Sequence, residues 1–114
     1  MTLPDVAFLR HMLDAVDRID EAVSQSSLED FKRNWVIQDA IIRELQIVGE
    51  AAGRVSKQLV TSHPEFPWRE ITGLRHKLVH DYFVVDLDVV WRTATVDIPA
   101  VRPGIVTLLD EITE

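Results

Sequence analysis

Ile37-Gln38-Asp39-Ala40-Ile41-Ile42-Arg43-Glu44-Leu45-Gln46-Ile47-Val48-Gly49-Glu50-Ala51-Ala52 is the stretch that decides the fold. Ile37, Ile41, Leu45, Val48 and Ala52 follow one another in steps of three and four, which only a helix gathers into one stripe. Val55 and Leu59 continue the stripe, so a single long helix over Leu28 to Leu59 is expected. Phe31, Trp35, Ile42 and Ala51 widen the apolar surface beyond one face. That suits a helix that is central or meets a partner subunit. Gly49 in the middle costs about 1 kcal/mol relative to alanine, which points to close helix packing at this position.

The same period runs through the N-terminal segment. Val6, Leu9, Met12, Val16, Ile19 and Val23 predict a helix over residues 5–24. Ser24 to Ser27 break it, and Ser27 with Asp30, or Ser26 with Glu29, resembles a capping box that starts the second helix. Pro64 and Pro67 interrupt the pattern again. Pro67 suits the first turn of a third helix, where its missing N–H costs nothing, and Ile71, Leu74 and Leu78 carry that helix to about His80. Tyr82-Phe83-Val84-Val85 is read as a turn or connector, since a lone strand would have nothing to pair with. Asp86 should cap a fourth helix bearing Val89, Val90 and Trp91. Asp97, with Pro99 just inside, should open a last one bearing Val101, Ile105, Leu108 and Leu109. Pro103 should kink that helix or delay its start. The expected fold is all-α, an up-and-down bundle of four to five helices forming a single domain over residues 1–114.

Composition narrows the function. The chain has no cysteine, which removes disulfides, thiol nucleophiles and cysteine-based zinc sites. The start of the chain shows no apolar signal-peptide core and no run is apolar enough to span a membrane, so a cytoplasmic protein is expected. The net charge of −7 argues against broad electrostatic binding of nucleic acid. The charge is segregated, however. From Arg69 to His80 it is +2 (Arg69, Arg75 and Lys77 against Glu70), leaving −9 on the rest.

That basic island overlaps the segment Arg75-His76-Lys77-Leu78-Val79-His80-Asp81-Tyr82. Histidine titrates near neutral pH and can take or give a proton. Arginine stays charged and can hold a phosphate through two parallel hydrogen bonds. Together they suit cleavage of an RNA phosphodiester, where the 2′-hydroxyl is a built-in nucleophile and no metal is strictly needed. Five residues of α-helix turn about 140° and rise about 7.5 Å. Arg75 and His80 therefore converge only if the helix ends near His80 or two subunits bring two copies together. The plainer reading of both is a surface arginine and a helix-end histidine.

Other residues carry double readings. His76 and His80, four apart, have the spacing of a zinc pair, with His63 or Glu50 as a third ligand, although no His-Glu-x-x-His pattern accompanies them. Lys77 is a phosphate-binding cation or a solvated charge. Tyr82, the single tyrosine, is a half-buried aromatic whose hydroxyl neighbours the site. Glu50 is a buried ion-pair partner, for instance of a site arginine, or a charge on the solvent face. Arg54, Lys57 and Arg92 read as exposed charges, and Trp35, Trp68 and Trp91 as core or interface.

Arg75-x4-His80-x-Tyr82 resembles the R-x4-H-x-Y motif of HepT-like toxins in the HEPN superfamily. His76 fits the polar position after the arginine, although asparagine or aspartate is commoner there. Leu45 to Ala52, Pro67-Trp68-Arg69-Glu70-Ile71, Asp81-Tyr82-Phe83 and Val89-Val90-Trp91 are similar to the family's other blocks, in the same order. The bare R-x4-H is weak, but the ordered blocks span nearly the whole chain. The resemblance implies a dimer whose two motifs share one cleft. It implies a metal-independent endoribonuclease toxin without cofactor, with Arg75 and His80 catalytic, and His76 and Lys77 assisting RNA phosphate binding. Glu50 is a supporting residue on that reading. The implied partner is an MNT-type nucleotidyltransferase antitoxin, bound to the homodimer or in a larger hetero-oligomer, which attaches AMP to Tyr82 and blocks the site. The alternative is a non-catalytic helical subunit that binds nucleotide or seals an interface with a nucleotidyltransferase.

Overall fold

Residues 3–80 and 84–113 are described in the computed structural model; at residues 3, 79, 80 and 84 the description is of the backbone alone. Asp81, Tyr82 and Phe83, and with them the expected modification site, lie outside the described residues.

Helix α1, Leu3–Ser24, forms where the first apolar period predicted it. Leu9, Met12, Val16 and Ile19 are fully or almost fully buried, each contributing about 1.5–3 kcal/mol by leaving water. The stripe packs along α3, Trp35–Arg54, whose Ile41, Leu45, Val48 and Ala52 are buried in turn. This antiparallel core, closed by the C-terminal helix against α1, is the expected bundle in outline.

The long second helix is divided into three. Helix α2 covers Leu28–Arg33, α3 follows after Asn34, and α4 covers Lys57–Ser62. Asn34 is extended (φ −121°, ψ 97°), and its Oδ1 accepts the N–H groups of Val36 and Ile37 at 3.0 and 3.3 Å. That cap starts α3 afresh while the apolar period carries on through it. Ser27 caps α2 by accepting the Asp30 N–H at 3.1 Å, as the first of the two expected boxes proposed.

The third expected helix is also divided, into α5, Trp68–Thr72, and α6, Leu74–Leu78, with Gly73 between them. Pro67 sits at the N-cap, one position ahead of its expected place. The helix stops at Leu78. Val79–His80 (β1) pairs antiparallel with Val84–Val85 (β2), Val79 opposite Val85 and His80 opposite Val84. The valines read as a connector thus have a partner after all: the chain segment just before them.

Asp86 caps α7, Leu87–Arg92, as expected, accepting the Asp88 and Val89 N–H groups. No new helix opens at Asp97. A π-helical turn, Thr93–Asp97, joins α7 without a break to α8, Ile98–Thr113. The physical reason is Pro99. Its ring would clash with the carbonyl four residues back in a regular helix, and the wider turn, in which the Ile98 N–H bonds Thr93 O, relieves the crowding. Pro103 lies inside α8 instead of delaying it. No helix among the described residues is long and apolar enough to cross a membrane.

Candidate active site

The site is built on the contact between α3 and the α5–α6 pair. Gly49 makes it possible. A Cβ there would lie 2.9 Å from the Ile71 carbonyl oxygen and 3.7 Å from the Leu74 Cβ. Leu74 and Leu78 are buried against the core, which leaves Arg75, His76 and Lys77 facing outward. Two of the three cations of the basic island, Arg75 and Lys77, are therefore exposed on a short helix pinned by its two leucines.

Arg75 lines a cleft of about 510 Å³ together with Gln46, Gly49, Glu50 and Thr72. Glu50 and Arg75, twenty-five positions apart in the sequence, share this one hollow. The buried ion-pair reading of Glu50 does not hold. Its side chain is 68% exposed and bonds Arg54 at 3.2 Å, one turn along α3. This is the solvent-face alternative, because the core stripe of α3 lies on the other side of the helix. Lys77 bonds Asp97 at 3.3 Å, from α6 to the π-helical turn, with both side chains about half exposed.

The first of the two arrangements that would let Arg75 and His80 converge, a helix end, is present: α6 ends at Leu78, and His80 has extended backbone. The same fact removes the zinc spacing. His76 is helical and His80 is not, so the two do not lie four apart on one helical face. His63, considered as a third ligand, is engaged elsewhere. Its Nε2 lies 2.6 Å from Glu111 Oε2 and its Nδ1 3.3 Å from the Leu59 carbonyl. The hydrogen bond to Glu111 holds the His63 imidazole above its ordinary pKa; burial opposes this, and the Leu59 carbonyl, Glu111 and Glu65 add to the rise.

Of the six sequence-derived site residues, the structure brings Arg75 and Glu50 to one cleft and exposes His76 and Lys77 beside it. The His80 side chain and Tyr82 fall outside what is described. Gln46, Thr72 and Asp97 were missed. Gln46 carried a signal: it stands four before Glu50, which sets two polar side chains on one face of the helix, away from its apolar stripe. Thr72 and Asp97 carried none, because their places depend on how separate elements pack.

Comparisons with known proteins converge. A family model described as "Ribonuclease HepT-like" matches residues 12–108. A protein of Thermococcus cleftensis named "Probable ribonuclease HepT" is 39% identical over 95 residues, 83% of this chain and 86% of its own length. A "Putative RNase" of Caldanaerobacter subterraneus subsp. tengcongensis is 35% identical over 104 residues, covering 91% and 93%. Another "Putative RNase", from Methanocaldococcus jannaschii, is 34% identical over 108 residues, covering 95% and 93%. No solved structure gives a significant match.

Proposed function

Because the chain belongs to the Ribonuclease HepT-like family, a family of RNA-cleaving enzymes, we propose that it is an endoribonuclease toxin acting as a homodimer without metal. Arg75 holds the scissile phosphate and His80 transfers protons. The observation that carries this reading is the exposure of Arg75 on an open cleft, three residues before the helix end that releases His80 from the helical spacing.

The chemistry follows from the residue types. One histidine takes the proton of the ribose 2′-hydroxyl as its oxygen bonds phosphorus. The bond from phosphorus to the 5′-oxygen breaks, and a second acid gives that oxygen its proton. One chain offers one His80, so a second copy in the dimer supplies the other. The Arg75 guanidinium offsets the charge gathering on the phosphoryl oxygens. His76 and Lys77, exposed on the same short helix, offer further hydrogen-bond partners to the RNA backbone.

Regulation falls to Tyr82 on this reading. An MNT-type nucleotidyltransferase would join the tyrosine oxygen to the α-phosphorus of ATP, releasing pyrophosphate and a proton. The attached phosphate would add negative charge to the motif, compete for Arg75 and repel RNA.

The test uses the purified full chain with Tyr82 unmodified. It should cut RNA in the presence of EDTA, and His80→Ala should abolish cutting while leaving the melting curve unchanged. Co-expression with the nucleotidyltransferase should add AMP-sized mass increments that Tyr82→Phe removes. Failure to cleave any RNA under these conditions sinks the catalytic reading and leaves a non-catalytic partner subunit in its place.

A further inference from the structure

A second hollow adjoins the first. It measures about 270 Å³ and is lined by Phe8, His11, Ile47, Glu50, Ala51 and Arg54. Glu50 lines both hollows, so they meet at that residue. Along α3 the sequence Gln46, Glu50, Arg54 advances four residues at a time, which sets the three side chains in a row on the exposed face. Gln46 belongs to the Arg75 cleft, Arg54 to the second hollow, and Glu50 to the boundary. The row is about 12 Å long, longer than one nucleotide needs.

We propose that this groove is the track of the RNA strand leaving the cleavage site, with the second hollow seating a nucleotide beyond the two joined at the scissile phosphate. The proposal rests on the ribonuclease reading and adds residues to it. Phe8, Ile47 and Ala51 give the hollow an apolar floor against which one base can stack. His11 stands exposed at its rim and offers ring nitrogens to a base edge or a phosphate.

Arg54 is the phosphate contact. It is bonded to Glu50 at 3.2 Å, with both side chains more than 60% exposed. An exposed pair one turn apart on a helix is weak, so a phosphate can replace the carboxylate as Arg54's partner at little cost. Glu50 thus keeps the arginine oriented in the free protein and releases it to RNA. The groove also accounts for how a chain of net charge −7 handles a polyanion. Its cations, Arg75 and Arg54, line one continuous furrow, and the acidic remainder keeps RNA from settling elsewhere.

The experiment compares two substrates, a dinucleotide with one scissile bond and an oligonucleotide of about a dozen residues. Arg54→Ala should lower kcat/KM on the oligonucleotide by about tenfold more than on the dinucleotide, and should flatten its log-log salt dependence by about one. Arg54→Lys should recover most of the loss, and His11→Ala should act in the same direction. Glu50→Gln should tighten oligonucleotide binding. Affinity for a non-cleavable 2′-deoxy oligonucleotide, read by fluorescence anisotropy, separates this proposal from the catalytic one. If the chain cuts nothing yet Arg54→Ala weakens that binding, the track stands and the catalytic reading falls. Equal losses on both substrates, unchanged oligonucleotide affinity, or a change of oligomeric state in Arg54→Ala or His11→Ala by sedimentation would overturn it. The last result would mean that a second copy of the chain covers the groove.

Discussion

Asp5 holds Ser56 with both carboxylate oxygens: Oδ1 accepts the Ser56 N–H at 2.7 Å and Oδ2 accepts its hydroxyl at 2.6 Å. The Ser56 oxygen in turn accepts the Leu59 N–H at 3.2 Å, capping α4. Asp5 is 1% exposed, so the start of α1 is fastened to the joint between α3 and α4 out of reach of water. Removing the carboxylate strands two donors. Asp5→Ala should therefore lower the unfolding free energy by about 2–3 kcal/mol, measured by urea denaturation. A loss near zero would show that water replaces the carboxylate there.

Gly49 and Gly53 make a matched pair on α3. Alanine should gain about 1 kcal/mol of helix propensity at either. At Gly53 the new Cβ meets only Thr72 Cγ2, at 3.9 Å, and the gain should appear. At Gly49 it meets a backbone carbonyl at 2.9 Å, so α5 and α6 must shift and the net effect should be a loss of about 1–3 kcal/mol. Denaturation of the two variants side by side should give opposite signs. RNA cleavage should fall in Gly49→Ala, since that contact fixes where Arg75 stands.

His63 predicts a pH dependence of stability. Its folded-state pKa is raised, chiefly by the hydrogen bond to Glu111. The folded protein therefore holds the proton more tightly than the unfolded chain. The resulting stabilisation is fully present below the unfolded value of about 6.5 and is lost as pH rises through the folded value. Urea midpoints should decline across that window. Glu111→Gln should flatten the decline while leaving the Arg75 cleft intact.

Arg75→Lys distinguishes forked phosphate binding from simple charge. Lysine keeps the charge but not the planar pair of donors. Cleavage should fall at least about tenfold, or 1.4 kcal/mol in the activation barrier, with no change in the melting temperature. Full activity in the lysine variant would show that a point charge suffices.

Much of this fold was legible because burial follows period. Ile41, Leu45, Val48, Ala52 and Leu59, all read from spacing, are all buried. What spacing could not reveal is where a helix stops while its apolar period continues. Asn34 breaks the helix by turning its own side chain on the N–H groups of Val36 and Ile37, and the chain at Ser56 is fixed by an aspartate fifty-one residues away. The β1–β2 pair was hidden for a similar reason, since Val79 and His80 had been assigned to the preceding helix. At the site, Arg75 and its neighbours were legible as chemistry. The cleft was not, because it exists only where α3 meets α5 and α6 through Gly49. Trp35, read as core or interface, is 69% exposed beside Val36 at 56%, so in the single chain it is not core.

The π-helical turn has a rotational consequence. In an unbroken α-helix, Ile98 would lie about 80° around the axis from Val90, eight residues earlier. Both are buried, at 2% and 0% exposure. The wider turn takes back most of that drift, as a spacer ring resets the phase of a screw. The half of the helix that follows β2 and the half seated on α1 can then face the same interior. Without the extra residue, the chain would have to choose which half stays seated.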